Sequence, residues 1–315
     1  MTEFLNRLSR FGGPVVLLGL IVLFSVTLPD TFPTKANFQS LVSAQAVPGI
    51  LALGLLFPLV CGEFDFSGGT VATASAVSIV ILTGDHGVPW PLAALLILIG
   101  AGLIGAVNGF LVAYLQYSSF VATLAVSGIV AGLAVSQSKG QTLFRGIPDG
   151  FTDLGRRTLF SIPYPALFLV GVFVITAIAL RQTAWGRRHE AVGKGRAASH
   201  LAGIGVRRHL FGAFIVSGVI AGFAGLVLVA RLGSAPPNVG EAFTLSAFAA
   251  AFLGATMLRP GFFNATGTLV AILLIAVGIN GLLLAGVENY IERLFTGAVL
   301  LLAVGLSRLE RLSAR

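Results

Sequence analysis

The sequence predicts an all-α polytopic membrane protein with about ten transmembrane helices, several short or broken, and both termini on the cytoplasmic side. Three observations carry this. Hydrophobic residues make up 56% of the 315 and charged residues only 10%, against about 25% charged in soluble domains. Mean hydropathy is +0.95, so a water-soluble chain of this length could not hide its apolar surface. Forty glycines exceed the usual share of about 7%, as suits helices that pack backbone to backbone and break inside a bilayer.

Apolar stretches recur at about residues 13–28, 39–60, 68–83, 91–116, 119–137, 163–180, 209–230, 243–258, 262–285 and 290–306. A full crossing takes about 20 apolar residues, so the shorter stretches are read as tilted, broken or longer than their apolar limits. The third and eighth carry the weakest signal. The first follows a basic start with Arg7 and Arg10. It resembles a secretion signal, but no small-x-small cleavage site follows, and it is read as an uncleaved first helix. After the second span comes Cys61-Gly62-Glu63-Phe64-Asp65-Phe66-Ser67-Gly68-Gly69, the pattern of a broken helix. Asp65 or Ser67 is suited to capping the helix that follows. The alternative is that Glu63 and Asp65 line a polar path through the bundle. Val107-Asn108-Gly109 in the fourth span echoes Ile279-Asn280-Gly281 in the ninth, a hint of two units of five spans.

The longest external connection is 138–162. It carries both signs of charge (Lys139, Arg145, Asp149, Asp153, Arg156 and Arg157) and reads as a solvated loop. The connection 181–209 is different. Seven of the twenty Lys and Arg residues fall in it: Arg181, Arg187, Arg188, Lys194, Arg196, Arg207 and Arg208. Such a loop stays on the cytoplasmic side. With Arg7 and Arg10 at one terminus and Arg308, Arg311 and Arg315 at the other, twelve of the twenty basic residues share one side only if the span count is even. Ten fits best. Within the loop, Ala197 to Ile204 has apolar residues at helical spacing and runs into glycine. It predicts a short amphipathic helix beside the membrane, or else a solvated turn whose arginines only fix topology.

Several chemistries are excluded. The single cysteine, Cys61, permits no intrachain disulfide and no cysteine cluster, and four scattered histidines form no HExxH. No GxxxxGK[ST] occurs, so the chain hydrolyses no ATP by that route, and no Ser/His/Asp constellation sits at membrane depth. The arginines are not interleaved with aromatics in a soluble domain, so no nucleic acid is expected as a partner; the net charge of +8 suits topology and an anionic lipid bilayer. Polar residues inside spans are Gln45, Asn108, Thr123, Ser127 and Asn280. Each either lines a pathway or bonds across helices, the latter contributing about 0.6 kcal/mol on average.

Motif order then brings out a resemblance. Residues 62–69 look like a departed version of the GGIDLSVG motif of sugar permeases in bacterial ABC importers, the ribose-type family. Residues 105–114 resemble that family's GxxNGxLxAY, 119–124 its PSFIxTL, Thr183 to Arg187 its TxxGR, Ala191-Val192-Gly193 its AIG, and 197–204 its AARLAGI. The stretches 249–254, 280–282 and 300–304 are also similar, so the resemblance covers about residues 37–306. It implies one transmembrane permease domain over 1–315, in the multi-pass bacterial plasma (inner) membrane. It further implies a translocation pathway formed with a second permease copy or paralogue, for a sugar delivered by an extracytoplasmic sugar-binding protein. No cofactor is implied in this chain; ATP and Mg would be used by a separate cytoplasmic ABC ATPase subunit, which explains the absent P-loop. Residues 190–206 would couple to that ATPase through Glu190, Lys194, Arg196, Ala197, Ala198, Leu201, Gly203 and Ile204. Leu201 and Ile204 would share a helical face with Ala197, and Lys194 and Arg196 would flank the contact.

The sequence departs from the family at Glu63 and Phe64, where small apolar residues are usual, and at Phe66, which replaces Leu. A later GGxG-like turn is degraded to Leu258-Arg259-Pro260-Gly261. Permeases for branched-chain amino acids or nucleosides share the 197–204 pattern and remain alternatives within the class, as does a stand-alone carrier or channel outside it. Asp65-Phe66-Ser67-Gly68 favours the sugar branch.

Overall fold

A computed structural model of the chain describes residues 2–313, with side chains from 12 to 305. Its helices are α1 (Thr2–Thr27), α2 (Lys35–Ala44), α3 (Ala46–Val60), α4 (Gly68–Val80), α5 (Trp90–Ala113), α6 (Ser119–Ser138), α7 (Asp149–Arg156), α8 (Tyr164–Arg181), α9 (Ala184–Lys194), α10 (Arg196–Leu201), α11 (Val206–Leu232), α12 (Glu241–Ala255), α13 (Ala265–Leu284) and α14 (Tyr290–Ser313). A π-helical turn, Ile81–Asp85, extends α4, and a hairpin of β1 (Thr158–Leu159) and β2 (Ile162–Pro163) precedes α8.

Every apolar stretch of the sequence falls on helix. Seven segments are long and apolar enough to cross a membrane: Lys35–Val60, Gly68–Asp85, α5, α6, α8, α11 and α13. The apolar part of α1, Gly12–Thr27, and α12 are shorter. The side chains of Arg7, Arg10, Arg308 and Arg311, and residue Arg315, lie outside the described residues.

Helices α3 and α11 form the centre. α3 is apolar all round, and all its residues but the last are buried, as a core helix requires. α11 meets α3, α4 and α5 through small residues. A Cβ at Gly105 of α5 would lie 2.3 Å from the Phe214 carbonyl oxygen, and one at Gly218 would lie 2.4 Å from that of Ala101. On the outer faces of α5, α6 and α8, Leu95, Leu103, Leu124, Leu133 and Ile175 stay exposed, which suits lipid as solvent.

The connections sort to two ends of the bundle. At one end, Leu143 pairs with Ala235 as an antiparallel bridge, and Gln39 donates to the Ser161 carbonyl at 2.7 Å. At the other, the 61–67 connection meets the start of α6, α9 and α10 (described below). One sequence expectation changes. The connection 138–162 is no plain solvated loop: α7 and the hairpin fold it over the bundle. Gly155 of α7 lies so close to α11 that a Cβ there would be 2.1 Å from the Ala230 carbonyl carbon. The stretch 243–258, whose signal is weak in the sequence, forms a helix too short to cross alone. Helix α12 has 15 residues and starts where the Gly240 N–H donates to Thr73 Oγ1 at 3.0 Å, part-way along α4. Residues 233–240 therefore reach the side of α4 as non-helical chain, with Ala235 and Gly240 buried.

Gly105→Leu should drive α5 and α11 apart and cost about 1–3 kcal/mol by overpacking, whereas Gly100→Leu, with nothing within 4 Å, should not. Thermal melting of the purified chain in detergent checks this; equal Tm values for the two variants would contradict the close contact.

Candidate functional site

The site is built on the break between α3 and α4. α3 ends at Val60, with Pro58 in its last turn, because Gly62, at φ +81°, turns the chain in the left-handed region that glycine tolerates. The Glu63 N–H returns to the Pro58 carbonyl at 3.0 Å and closes the turn. Beyond it, three N–H groups find side-chain oxygens. Phe64 N–H donates to Ser119 Oγ at 3.1 Å, Phe66 N–H to Thr123 Oγ1 at 3.0 Å, and Ser67 N–H to Asp65 Oδ1 at 3.0 Å.

Asp65, 1% exposed, is the hub. Its Oδ1 also accepts from Ser67 Oγ at 2.6 Å, and its Oδ2 accepts from Ser217 Oγ of α11 at 2.7 Å. Asn108 of α5 donates to Ser67 Oγ at 2.8 Å, and Thr70 shares a 2.9 Å bond with Ser127 of α6. Asp65 therefore holds Ser67, the residue before α4, and pins it to α11; Ser67 itself makes no side-chain cap bond to the first turn of α4. Asn108, Thr123 and Ser127, expected either to line a pathway or to bond across helices, do the second. Asn280 does too, in a reciprocal amide pair with Asn37 of α2 at 3.0 Å each way. Gln45 is half-buried at the break between α2 and α3. Gly68 is buried at the start of α4, and Gly69 faces the entering chain, where a Cβ would lie 2.5 Å from the Gly240 carbonyl oxygen.

An aromatic layer closes this end. Phe66 lies 4.7 Å from Phe248 and 5.1 Å from Phe120 between ring centroids, and Phe64 lies 6.3 Å from Phe252, which in turn lies 5.3 Å from Phe263. Beside it is a cavity of about 720 Å³ bordered by Glu63, Phe64, Arg181, Lys194, Arg259 and Phe262. The turn that follows α12 puts Leu258 at φ +60°, a conformation that L side chains adopt at a cost of about 1–2 kcal/mol. Among the described residues no group of His, Cys, Asp and Glu could hold a metal ion.

The loop 181–209 docks on the same end. Thr183 caps α9 by accepting from the Gly186 N–H at 3.0 Å. Gly186 packs so tightly on α8 that a Cβ would be 2.3 Å from the Ala179 carbonyl oxygen. This is the physical sense of the Thr-x-x-Gly spacing. Trp185 sits 5.7 Å from Phe57 of α3 and 3.8 Å from the His189 ring. His189 Nδ1 and His209 Nδ1 are 2.9 Å apart, so the two neutral rings are opposite tautomers, one donating. Burial, and then the neighbouring His209, push the His189 imidazole down from its ordinary 6.5 to about 3. Cys61 Sγ lies 3.8 Å from the His189 carbonyl oxygen.

The predicted amphipathic helix exists as α10, but the stretch 190–206 is not one helix. Gly195 breaks it into α9 and α10. Gly203, at φ +76°, ends α10: the Ile204 N–H returns to the Ser199 carbonyl at 2.9 Å and the Gly203 N–H to that of His200 at 3.0 Å. Ile204 therefore does not share the face of Leu201. It packs against the buried cluster of Phe57, Val192, Leu210 and Ala213, whereas Ala197, Ala198 and Leu201 point outward, Leu201 at 88% exposure. Nor do Lys194 and Arg196 simply flank that face. Lys194 bonds Glu190 at 2.9 Å and lies over the Phe262 ring, and Arg196 forms an ion pair with Glu63. Ser217, Thr70 and the aromatic layer were not singled out by sequence, because nothing local marks their partners.

Two outcomes follow. Asp65→Asn should keep folded yield, since Oδ1 still accepts and the Ser217 hydroxyl can turn to accept from the amide. Asp65→Leu should lower it, at about 1–3 kcal/mol for each stranded donor; size-exclusion recovery of both variants decides. For His189, the folded chain stays neutral down to about pH 3 while an unfolded one takes a proton near 6.5. The unfolded state thus binds more protons between those values, so this contribution is fully present above 6.5 and is lost as pH falls. Tm should fall with pH in that window and His189→Gln should flatten the slope; an unchanged slope removes His189 as its source.

Comparison with known proteins fits this geometry. The sequence model of a family described as "Branched-chain amino acid transport system / permease component" matches residues 37–304. The chain is 32% identical over 298 residues to the L-arabinose ABC transporter permease protein AraH of Azospirillum brasilense, covering 94% of this chain and 87% of that one. It is 33% identical over 299 residues to the ribose import permease protein RbsC of Bacillus subtilis, covering 94% and 92%. To the L-arabinose transport system permease protein AraH of Escherichia coli it is 30% identical over 313 residues, covering 98% and 93%. No solved structure gives a significant match. A bundle of apolar helices, broken at a polar hub and matched along most of its length, thus belongs to this family of transport-system permease components.

Proposed function

We propose that the chain is the pore-forming subunit of an ABC importer for a monosaccharide, set in the bacterial plasma membrane as a single permease domain. Ten helices cross, the termini and the 181–209 loop lie in the cytoplasm, and α7 with the hairpin faces outward. The α12 crossing is completed by the entering chain 233–240. A second permease, copy or paralogue, completes the pathway; an extracytoplasmic binding protein delivers the sugar; a cytoplasmic ATPase uses ATP and Mg. Arabinose and ribose permeases among the relatives support the sugar class. The family description keeps a branched-chain amino acid as the second reading.

The observation that carries the coupling role is Leu201. An apolar side chain 88% exposed on a short helix at the bundle end is a knob for an apolar groove. Ala197 and Ala198 share the outward face. Glu190, Lys194, Arg196, Gly203 and Ile204 hold α10 in place rather than meet the partner.

In proteoliposomes the chain alone should accumulate neither D-ribose nor L-arabinose; with its ATPase, second permease and binding protein it should take one up when ATP is supplied. Leu201→Asp should leave insertion intact and weaken ATPase co-purification about tenfold, as for a centrally placed anchor. Gradient-driven accumulation by the chain alone would sink the ABC reading; undiminished co-purification would remove Leu201 from the contact.

A further inference from the structure

Resting on that reading, we infer that the Glu63–Arg196 ion pair is the latch by which α10 moves the aromatic layer. Four observations meet there. Arg196 is the first residue of α10, and its guanidinium pairs with Glu63, whose side chain is 10% exposed while that of Arg196 is 51% exposed. Glu63 is adjacent in sequence to Phe64, and Phe66 lies three residues on. Their rings make the layer with Phe120, Phe248 and Phe252. The 62–67 segment is also hung on α6 by the Ser119 and Thr123 hydroxyls, on α11 by Ser217 and on α5 by Asn108, so those helices fix it while α10 holds it at Glu63. Finally, α9 abuts the end of α3 just before that segment: a Cβ on Gly193 would be 1.9 Å from the Val60 carbonyl oxygen.

The geometry makes α10 a lever with one charged grip. Its outward face, with Leu201, is free to be displaced by a partner; its inward grip is a carboxylate one residue from a ring of the layer. A half-buried pair of this kind is screened less than a surface one, and leaving Glu63 without its cation strands a charge in a poorly solvated place. Displacement of α10 therefore pulls the 62–67 segment and parts Phe64 and Phe66 from Phe248 and Phe252. Glu63 and Arg196 are positioning residues: they act through the rings and need no contact with the solute.

The test uses the assembled importer in proteoliposomes. The readout is solute taken up per ATP hydrolysed, with D-ribose and L-arabinose as probes, together with stimulation of hydrolysis by the binding protein. Glu63→Gln and Arg196→Gln should assemble, hydrolyse ATP without regard to the binding protein, and lose about tenfold in the uptake ratio, the scale of a typical coupling energy. The swap Glu63→Arg with Arg196→Glu should restore stimulation. The latch is overturned if either single variant keeps its uptake ratio and stimulation. It is overturned equally if the singles only lower the amount of assembled complex while each complex works normally, or if the assembled swap stays uncoupled. A wild-type complex with no stimulated hydrolysis would instead fail the importer reading itself.

Discussion

A buried, non-helical connection must satisfy its backbone from within the protein, and the 61–67 connection meets that demand largely with side-chain oxygens. The free N–H groups of Phe64, Phe66 and Ser67 are accepted by Ser119, Thr123 and Asp65. Two of those oxygens belong to α6, and the third belongs to a carboxylate bonded to α11. The break thus fixes where α6 and α11 stand. Since α11 is the helix against which α3, α4 and α5 pack, the placement propagates through the bundle. The same requirement explains why the carboxylate is buried at all: it accepts from three donors, and hydrogen bonds to a charged group contribute more than neutral ones.

Small residues set the second constraint. Lipid tails give no hydrophobic reason for apolar helices to associate, so close backbone contact supplies dispersion instead. Gly105, Gly218 and Gly225 put carbonyls of α4, α5 and α11 at distances a methyl group would forbid. Gly186 and Gly193 extend the same device to the loop, so α9 is held by shape as firmly as by its aromatic contacts. Leucines and isoleucines, by contrast, cover the faces of α5, α6 and α8 that meet lipid.

Much of this was legible in the sequence because the signals are local. Apolar stretches located the helices, and glycine at the end of 197–204 located α10 and its stop. What stayed hidden depends on partners far apart in the chain. Asp65 could be read as a cap, but its bond to Ser217 spans 152 positions. The ion pair of Arg196 with Glu63 spans 133, and no periodicity encodes it. Ile204 was misplaced for a different reason: spacing arguments assume a continuing helix, and the left-handed turn at Gly203 reverses the direction of its side chain. Residues 233–240 escaped notice because depth in a bundle depends on which helix a segment meets, here Gly240 against Thr73, and not on its own composition. The degraded turn at Leu258 shows the same limit: Asn264 bonds back to the Gly254 and Met257 carbonyls across it, while Leu258 adopts the left-handed conformation against the preference of leucine.

The one sulfhydryl of the chain has a consequence for observing it. Cys61 is 1% exposed, shut between the end of α3 and the carbonyl of His189. Val192 of α9 helps cover it, together with Ala113 of α5 and Leu210 and Ala213 of α11. A maleimide reaches it only when that packing opens, so the chain carries a built-in chemical reporter of local opening, with no other thiol of its own to add background. Labelling rate then measures how often that cover opens, and comparing nucleotide-bound with nucleotide-free complexes would convert the rate into a clock for the working cycle.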